Sequence, residues 1–152
     1  MALVGILIGS KTDEQFIQPA IDTLKEFKVD YDLAILSAHR KPDKVRQYAT
    51  EAGSKGFEVI IAAAGSAAHL PGVVASWTTI PVIGVPLPTS DLKGVDSLYS
   101  IVQMPGGVPV ACVGIGAAGA KNAALLACQI LGLKYDNIRK AFEAYKRKQA
   151  ES

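Results

Sequence analysis

Short apolar runs alternate with segments of helical periodicity along this chain, and this alternation restricts the fold more than any other feature. Leu3–Ile8 is a nearly continuous apolar run, which is typical of a strand buried on both faces of a parallel sheet. From a cap at Thr12 or Asp13 to Phe27, apolar residues recur at three- and four-residue spacing, as they do in an amphipathic helix. The repeating unit is therefore predicted to be a strand, a turn and a helix.

The same unit recurs to the end of the chain. Further strands are predicted at Tyr31–Leu36, Glu58–Ala63, Val82–Val85 and Val108–Gly114. Further helices are predicted from Pro42 to about Gly53, near His69, and at Val95–Met104, Lys121–Leu131 and Asp136–Gln149. Strands that alternate with helices indicate an α/β fold, a parallel doubly wound sandwich, and a length of 152 residues fits one domain spanning 1–152.

Composition and charge exclude several classes of protein. Hydrophobic residues make up 49% and charged residues 20% of the chain, a balance that argues against disorder. A formal charge of +2 is too small for a polyanion binder, so no nucleic-acid partner is expected. Met1 leads directly into the first strand and no apolar run is long enough for a bilayer, which predicts a cytoplasmic protein without a membrane partner.

The cysteines and histidines do not suggest a metal centre. Cys112 falls in an apolar strand and Cys128 on an apolar helix face, so both are expected to be buried free thiols. Two Cys and two His without ligand-like spacing make a protein metal site improbable.

The segment Ser37-Ala38-His39-Arg40 places three reactive groups at the end of the second strand. Arg40 offers two parallel charged hydrogen bonds to a phosphate, and His39 is the side chain type best suited to proton transfer near neutral pH. The alternative is an ordinary polar turn that caps the following helix.

Two other loops follow strands of the predicted sheet. Gly9–Asp13 opens the first helix, where backbone amides favour a phosphate, and Ser10 with Asp13 fits a ribose. Gly65–His69 is a run of small residues whose amides would suit a carboxylate or carbon dioxide. Ligands bind beyond the carboxyl ends of strands in doubly wound sheets, so these loops and Ser37–Arg40 should form one pocket. A helix cap and a structural histidine remain the alternatives for the two loops.

Five segments give the chain a strong resemblance to a known family, and together they extend along most of its length. The chain resembles the class I carboxyaminoimidazole ribonucleotide mutases of purine biosynthesis. The segments are Gly9–Asp13, Ser37–Asp43, Ala67–Gly72, Gly94–Pro105 and Lys121–Ala127.

The resemblance implies a three-layer α/β/α fold with a flavodoxin-like sheet, assembled as a homo-octamer. It implies that His39 is the general acid and base in the isomerisation of a small ribonucleotide, with no cofactor. Ser10, Asp13 and Arg40 are implied to bind the ribose phosphate. Ser37, Gly65, Ser66 and His69 are further expected substrate-binding residues.

The chain departs from the family pattern at two positions. Gly65-Ser66 stands where two glycines are more common, and Gly106 stands where Arg is often found. Two other functions remain open: a class II-type aminoimidazole ribonucleotide carboxylase that uses free carbon dioxide, and a noncatalytic ribonucleotide-binding scaffold. The class II proteins typically have Lys where this chain has Arg40, which favours the mutase.

Overall fold

The computed structural model describes residues 2–152 and contains a five-stranded sheet in which all paired strands are parallel. The strands are β1 (Val4–Ile8), β2 (Tyr31–Ile35), β3 (Val59–Gly65), β4 (Val82–Leu87) and β5 (Ala111–Cys112). Their order across the sheet is β2-β1-β3-β4-β5. The register pairs Val4 of β1 with Tyr31 on one side and Val59 on the other. The loops that follow β2 and β3 therefore flank the loop that follows β1.

In the part of the chain that the structure describes, six α-helices cover the two faces of the sheet. They are α1 (Glu14–Glu26), α2 (Pro42–Glu51), α3 (Leu70–Trp77), α4 (Val95–Val102), α5 (Gly116–Gly132) and α6 (Asp136–Glu151). Buried residues of α1, α5 and α6 share one apolar cluster, and those of α2, α3 and α4 share another. The predicted doubly wound α/β/α sandwich is confirmed.

The central strand β3 shows why both layers of helices are needed. Val59, Ile61 and Ala63 belong to the cluster under α1 and α5, whereas Ile60 and Ala62 belong to the opposite cluster. Side chains of a strand alternate between faces, so a continuous apolar run requires cover on both sides. This is the physical basis of the apolar runs in the sequence.

The prediction was wrong at the boundary between the fifth strand and the fifth helix. The strand predicted at Val108–Gly114 is reduced to Ala111–Cys112, and the helix predicted from Lys121 begins at Gly116. Pro109 has no N–H for the sheet, and Gly114, at φ 139°, turns the chain out of the strand. A Cβ at Gly119 would lie 1.9 Å from the Gly114 carbonyl oxygen, so a glycine is required for this close turn.

Within residues 2–152, none of the helices combines the length and the apolar character that crossing a membrane requires.

Candidate active site

A polar cavity of about 370 Å³ lies beyond the carboxyl ends of the first four strands. All eight residues predicted for the site line it: Ser10, Asp13, Ser37, His39, Arg40, Gly65, Ser66 and His69. The chain brings them together because parallel strands end at the same edge of the sheet and each loop turns back there.

The loop after β1 is a short, internally bonded turn. Ser10 caps the 3₁₀ turn Lys11–Asp13, and its hydroxyl accepts a hydrogen bond of 3.2 Å from the backbone N–H of Thr12. The hydroxyls of Ser10 and Thr12 also lie 2.7 Å apart. Both the capping alternative and the binding hypothesis are compatible with this geometry, since Ser10 caps the turn and still lines the cavity.

Asp13 is a nearly buried carboxylic acid at the wall of the cavity, with 7% of its surface exposed. Burial raises the pKa of this carboxyl above its ordinary value, and hydrogen bonds from the backbone N–H groups of Ser10 and Gly9 partly oppose that effect. A buried carboxylate with two backbone donors is fixed in position, and it can accept hydrogen bonds from the hydroxyls of a sugar.

The loop after β2 is a tight turn that presents His39 and Arg40 to solvent. The backbone N–H of Arg40 donates to Ser37 Oγ at 3.3 Å, and that of Lys41 donates to the Ser37 carbonyl at 2.9 Å. In the part of the chain that the structure describes, no carboxylate forms an ion pair with the Arg40 guanidinium. Arg40 is therefore a cation with its donors available to an anion.

His39 and His69 are in direct contact across the cavity. His39 Nε2 and His69 Nδ1 lie 2.7 Å apart, which is hydrogen-bond distance, and the two rings are nearly perpendicular at 87°. One of the two nitrogens must donate and the other accept, so a single proton lies between them. The arrangement fixes the orientation of both rings and lets a proton be shared between them.

The backbone at the end of β3 shows the consequence of Gly65-Ser66 at a place where the resemblance leads us to expect two glycines. Ser66 adopts φ 52°, a left-handed conformation that costs an L-residue about 1–2 kcal/mol. Gly65 is required for a different reason, because a Cβ at this position would lie 1.7 Å from Thr89 Oγ1. The departure at Ser66 therefore introduces local strain, whereas Gly65 keeps the glycine that packing demands.

Sequence reasoning missed two hydroxyl groups of the cavity, those of Thr12 and Thr89. Thr89 follows β4, whose carboxyl end lies beside that of β3. The rule that ligands bind beyond strand ends applies equally to the loop after β4. The predicted strand ends at Val85, two residues short of Leu87, and the proline-rich loop after it was not among those predicted to line the pocket.

Neither cysteine contributes to the cavity. Both are free thiols, and burial raises the pKa of Cys128 to about 12, which leaves it protonated and unreactive at neutral pH. Among residues 2–152, no group of three or more His, Cys, Asp or Glu side chains is arranged to hold a metal ion.

Comparisons with known proteins agree with the resemblance seen in the sequence. The family model described as AIR carboxylase matches residues 3–152. The N5-carboxyaminoimidazole ribonucleotide mutase of Saccharolobus solfataricus is 57% identical over 147 residues, covering 94% of this chain and 92% of that protein. The protein of the same name from Thermotoga maritima is 56% identical over 146 residues, covering 96% and 84%.

A solved structure supports the fold. The crystal structure of Treponema denticola PurE superposes with a TM-score of 0.88 at 30% sequence identity, and the match covers 99% of this chain and 93% of that one.

Proposed function

This chain belongs to the AIR carboxylase family, and from that premise we propose that it is an N5-carboxyaminoimidazole ribonucleotide mutase, an isomerase of purine biosynthesis. The observation that carries the proposal is the contact between His39 and His69 in the cavity that also contains Arg40 and Asp13. A proton carrier and an anion-binding group thus face the same cavity. Relatives more than half identical over nearly the whole chain carry the mutase name.

The groups from β1 and β2 hold the ribose phosphate in this proposal. Arg40 binds the phosphate, because its guanidinium is exposed and has no carboxylate partner in the described chain. The Asp13 carboxylate accepts hydrogen bonds from the sugar hydroxyls, and the Ser10 hydroxyl donates to the sugar. Ser37 keeps the turn closed, because its Oγ accepts a hydrogen bond from the Arg40 N–H. Binding energy from this remote part of the substrate is used to position the reacting ring.

His39 moves the proton. In its charged form it protonates the carbamate nitrogen, the bond from that nitrogen to the carboxyl carbon breaks, and the electron pair stays on nitrogen. Aminoimidazole ribonucleotide and carbon dioxide result. The neighbouring ring carbon then attacks carbon dioxide, and neutral His39 removes the proton from that ring carbon. The imidazole ends charged as it began, and such general acid and base catalysis accelerates a reaction by about 10²- to 10⁴-fold.

His69 is a substrate-binding residue that also orients the catalytic imidazole. Its ring lies against that of His39 and hydrogen-bonds to it, so the His39 ring is held in one rotation. We therefore expect loss of His69 to affect turnover through the position of His39.

The small residues at the carboxyl end of β3 and just after it hold the carboxylate and the carbon dioxide formed from it. Ala64, Gly65, Ser66 and Ala67 line the cavity, and their short side chains let a ligand approach the backbone closely. Keeping carbon dioxide beside the ring avoids a bimolecular encounter, and well-oriented reactants can lower a barrier by about 7–11 kcal/mol.

The test is to supply the purified protein with the carbamate substrate, or with aminoimidazole ribonucleotide and bicarbonate. Ultraviolet absorbance of the new ring carboxylate reports the product in both assays. The mutase makes product from the carbamate at low bicarbonate. Product only from aminoimidazole ribonucleotide and bicarbonate would identify a carboxylase, and binding without product would identify a scaffold.

We further propose that the chain is one domain, works in the cytoplasm and assembles as a homo-octamer. Support for assembly comes from an apolar face on α4, where Val95, Tyr99 and Val102 are exposed together with Leu92. Their spacing places Val95, Tyr99 and Val102 on one side of the helix, where a second copy would cover them. Light scattering on the purified protein gives the subunit number directly, and a monomeric mass would reject the assembly.

A further inference from the structure

The Thr89 side chain lies in the space that a side chain at position 65 would occupy. Its Oγ1 lies 1.7 Å, its Cβ 3.0 Å and its Cγ2 3.3 Å from the position of a Cβ built on Gly65. The Thr89 side chain therefore reaches the cavity directly beside the backbone of the small-residue loop. This approach is open only because residue 65 is glycine.

The loop that carries Thr89 is fastened to α4 on both sides of it. The buried Ser97 hydroxyl donates to the Leu87 carbonyl at 2.9 Å, and Ser90 Oγ donates to Asp96 Oδ2 at 2.7 Å. Ser90 Oγ also accepts from the backbone N–H of Leu92 at 3.2 Å. Thr89 thus lies between two anchored residues, which limits the movement of its backbone.

The anchor at Ser90 is a charged hydrogen bond. The Ser90 hydroxyl holds the pKa of the Asp96 carboxyl below its ordinary value, so the carboxylate is ionised at neutral pH. Hydrogen bonds to an ionised acceptor are shorter and stronger than neutral ones, so this bond holds the loop against α4 more firmly than a neutral one would.

The Thr89 hydroxyl itself has no protein partner in residues 2–152. It is exposed and lines the cavity, whereas the nearby hydroxyls of Ser90 and Ser97 are both used inside the chain. A hydroxyl on an anchored backbone that has no protein partner is available to donate to a ligand. Its neighbour in the cavity is the loop to which the carboxylate of the substrate is assigned.

We propose that Thr89 is a further substrate-contacting residue, whose hydroxyl donates to the carbamate carboxylate and keeps the released carbon dioxide beside the ring. The inference rests on the proposed mutase function. After the bond from nitrogen to carbon has broken, carbon dioxide either forms the new bond to the ring carbon or escapes and leaves aminoimidazole ribonucleotide. Thr89 favours the first outcome.

The test measures this partition in variants that separate the hydroxyl from the methyl group. Thr89→Val and Thr89→Ala remove the hydroxyl, and Thr89→Ser keeps it. Each variant receives the carbamate substrate, and both the ring-carboxylated product and released aminoimidazole ribonucleotide are quantified, with the enzyme-free rate subtracted. Thr79→Val is the matched control, because Thr79 is an exposed threonine that precedes the amino end of β4, far along the strand from Thr89.

We expect Thr89→Val and Thr89→Ala to lower the ratio of product to released aminoimidazole ribonucleotide about tenfold or more, the usual effect of one hydrogen bond to a charged group. Thr89→Ser and Thr79→Val should stay within about twofold of the unmodified protein. A wild-type ratio in Val and Ala, or an equal loss in all three Thr89 variants, would overturn the inference. If the unmodified protein makes no product from the carbamate, the proposed function fails instead.

Discussion

Two recesses of the molecule, the groove between α5 and α6 and the cavity at the strand ends, differ in what their walls can do. The groove between α5 and α6 has a volume of about 520 Å³, against about 370 Å³ for the cavity at the strand ends. Phe142, Tyr145, Leu125 and Leu126 form much of the groove, and both helices are consecutive in the chain. The smaller cavity instead collects polar groups from four separate strand ends. The site is therefore identified by the polar groups that meet there, and not by its volume.

Within residues 2–152, one polar group of the groove is used inside the chain, whereas two donors of the cavity are not. In the groove, Asn122 Nδ2 donates to the Val113 carbonyl at 3.1 Å, so this amide is used to hold α5 against the strand that precedes it. In the cavity, Arg40 and Thr89 keep their side-chain donors unpaired within the described residues. These two donors are therefore available to a ligand in the cavity.

The largest expected effect is a loss of turnover in a variant of the cavity that a variant of the groove does not show. His39→Gln removes the proton carrier but keeps the size and polarity of the side chain, so we expect turnover to fall at least a hundredfold, within the range of about 10²- to 10⁴-fold for general acid and base catalysis. Binding of the ribonucleotide and the melting temperature should be retained. Gln149→Ala, in the groove, is the matched control with normal turnover. Retained turnover in His39→Gln would remove this residue from the mechanism.

The second effect concerns affinity. Arg40→Ala removes a charged hydrogen-bond donor and should weaken substrate binding about tenfold to a hundredfold, because such bonds contribute about 1.5–3 kcal/mol. Asp13→Ala should act in the same direction. Titration calorimetry with the ribonucleotide measures both, and Lys146→Ala in the groove controls for the general loss of a positive charge. Unchanged affinity in both variants would place the phosphate and the ribose elsewhere.

The third effect tests the close packing of the cavity wall. Gly65→Ala places a Cβ against Thr89 and should destabilise the protein by about 1–3 kcal/mol, or roughly 2–12 °C in Tm. Thr89→Gly in the same chain removes the clashing atoms, so the double variant should regain most of that loss. Thermal unfolding of the four chains gives the coupling energy. Additive losses would show that Gly65 and Thr89 are not in contact.

The smallest effect concerns the pH dependence of stability. Burial raises the pKa of Asp13 above 3.8, so the folded state holds this proton more tightly than the unfolded state. The resulting stability is complete below the ordinary pKa and is lost as pH rises through the raised one. Asp13→Asn cannot ionise, so its Tm should exceed that of the unmodified protein at neutral pH and match it in acid. A lower Tm for Asp13→Asn at neutral pH would show that the ionised carboxylate stabilises the fold.

Much of the fold could be predicted because the local signals and the packing agree. β1 and β3 are buried on both faces, and their continuous apolar runs reveal this without reference to the rest of the chain. The end of the fifth strand is different, because Gly114 leaves the strand through a positive φ that an apolar pattern does not encode.

The site, like the fold, could be predicted from the sequence only in part. His39 and Arg40 were predictable from the types of residue that follow β2, but the contact between His39 and His69 was not. These residues are 30 positions apart and meet only because β2 and β3 lie on opposite sides of β1. The closeness of Thr89 to Gly65 likewise depends on the pairing of β3 with β4.

Transfer of the carboxylate within this cavity is the central claim, and one labelling experiment tests it most directly. The unmodified protein converts carbamate substrate labelled with an isotope at the carboxyl carbon, in a buffer containing unlabelled bicarbonate. Mass spectrometry of the ring-carboxylated product measures how much label remains. Retention of most of the label is the predicted result, because carbon dioxide is held beside the ring. Product that carries unlabelled carbon from the buffer would contradict the account.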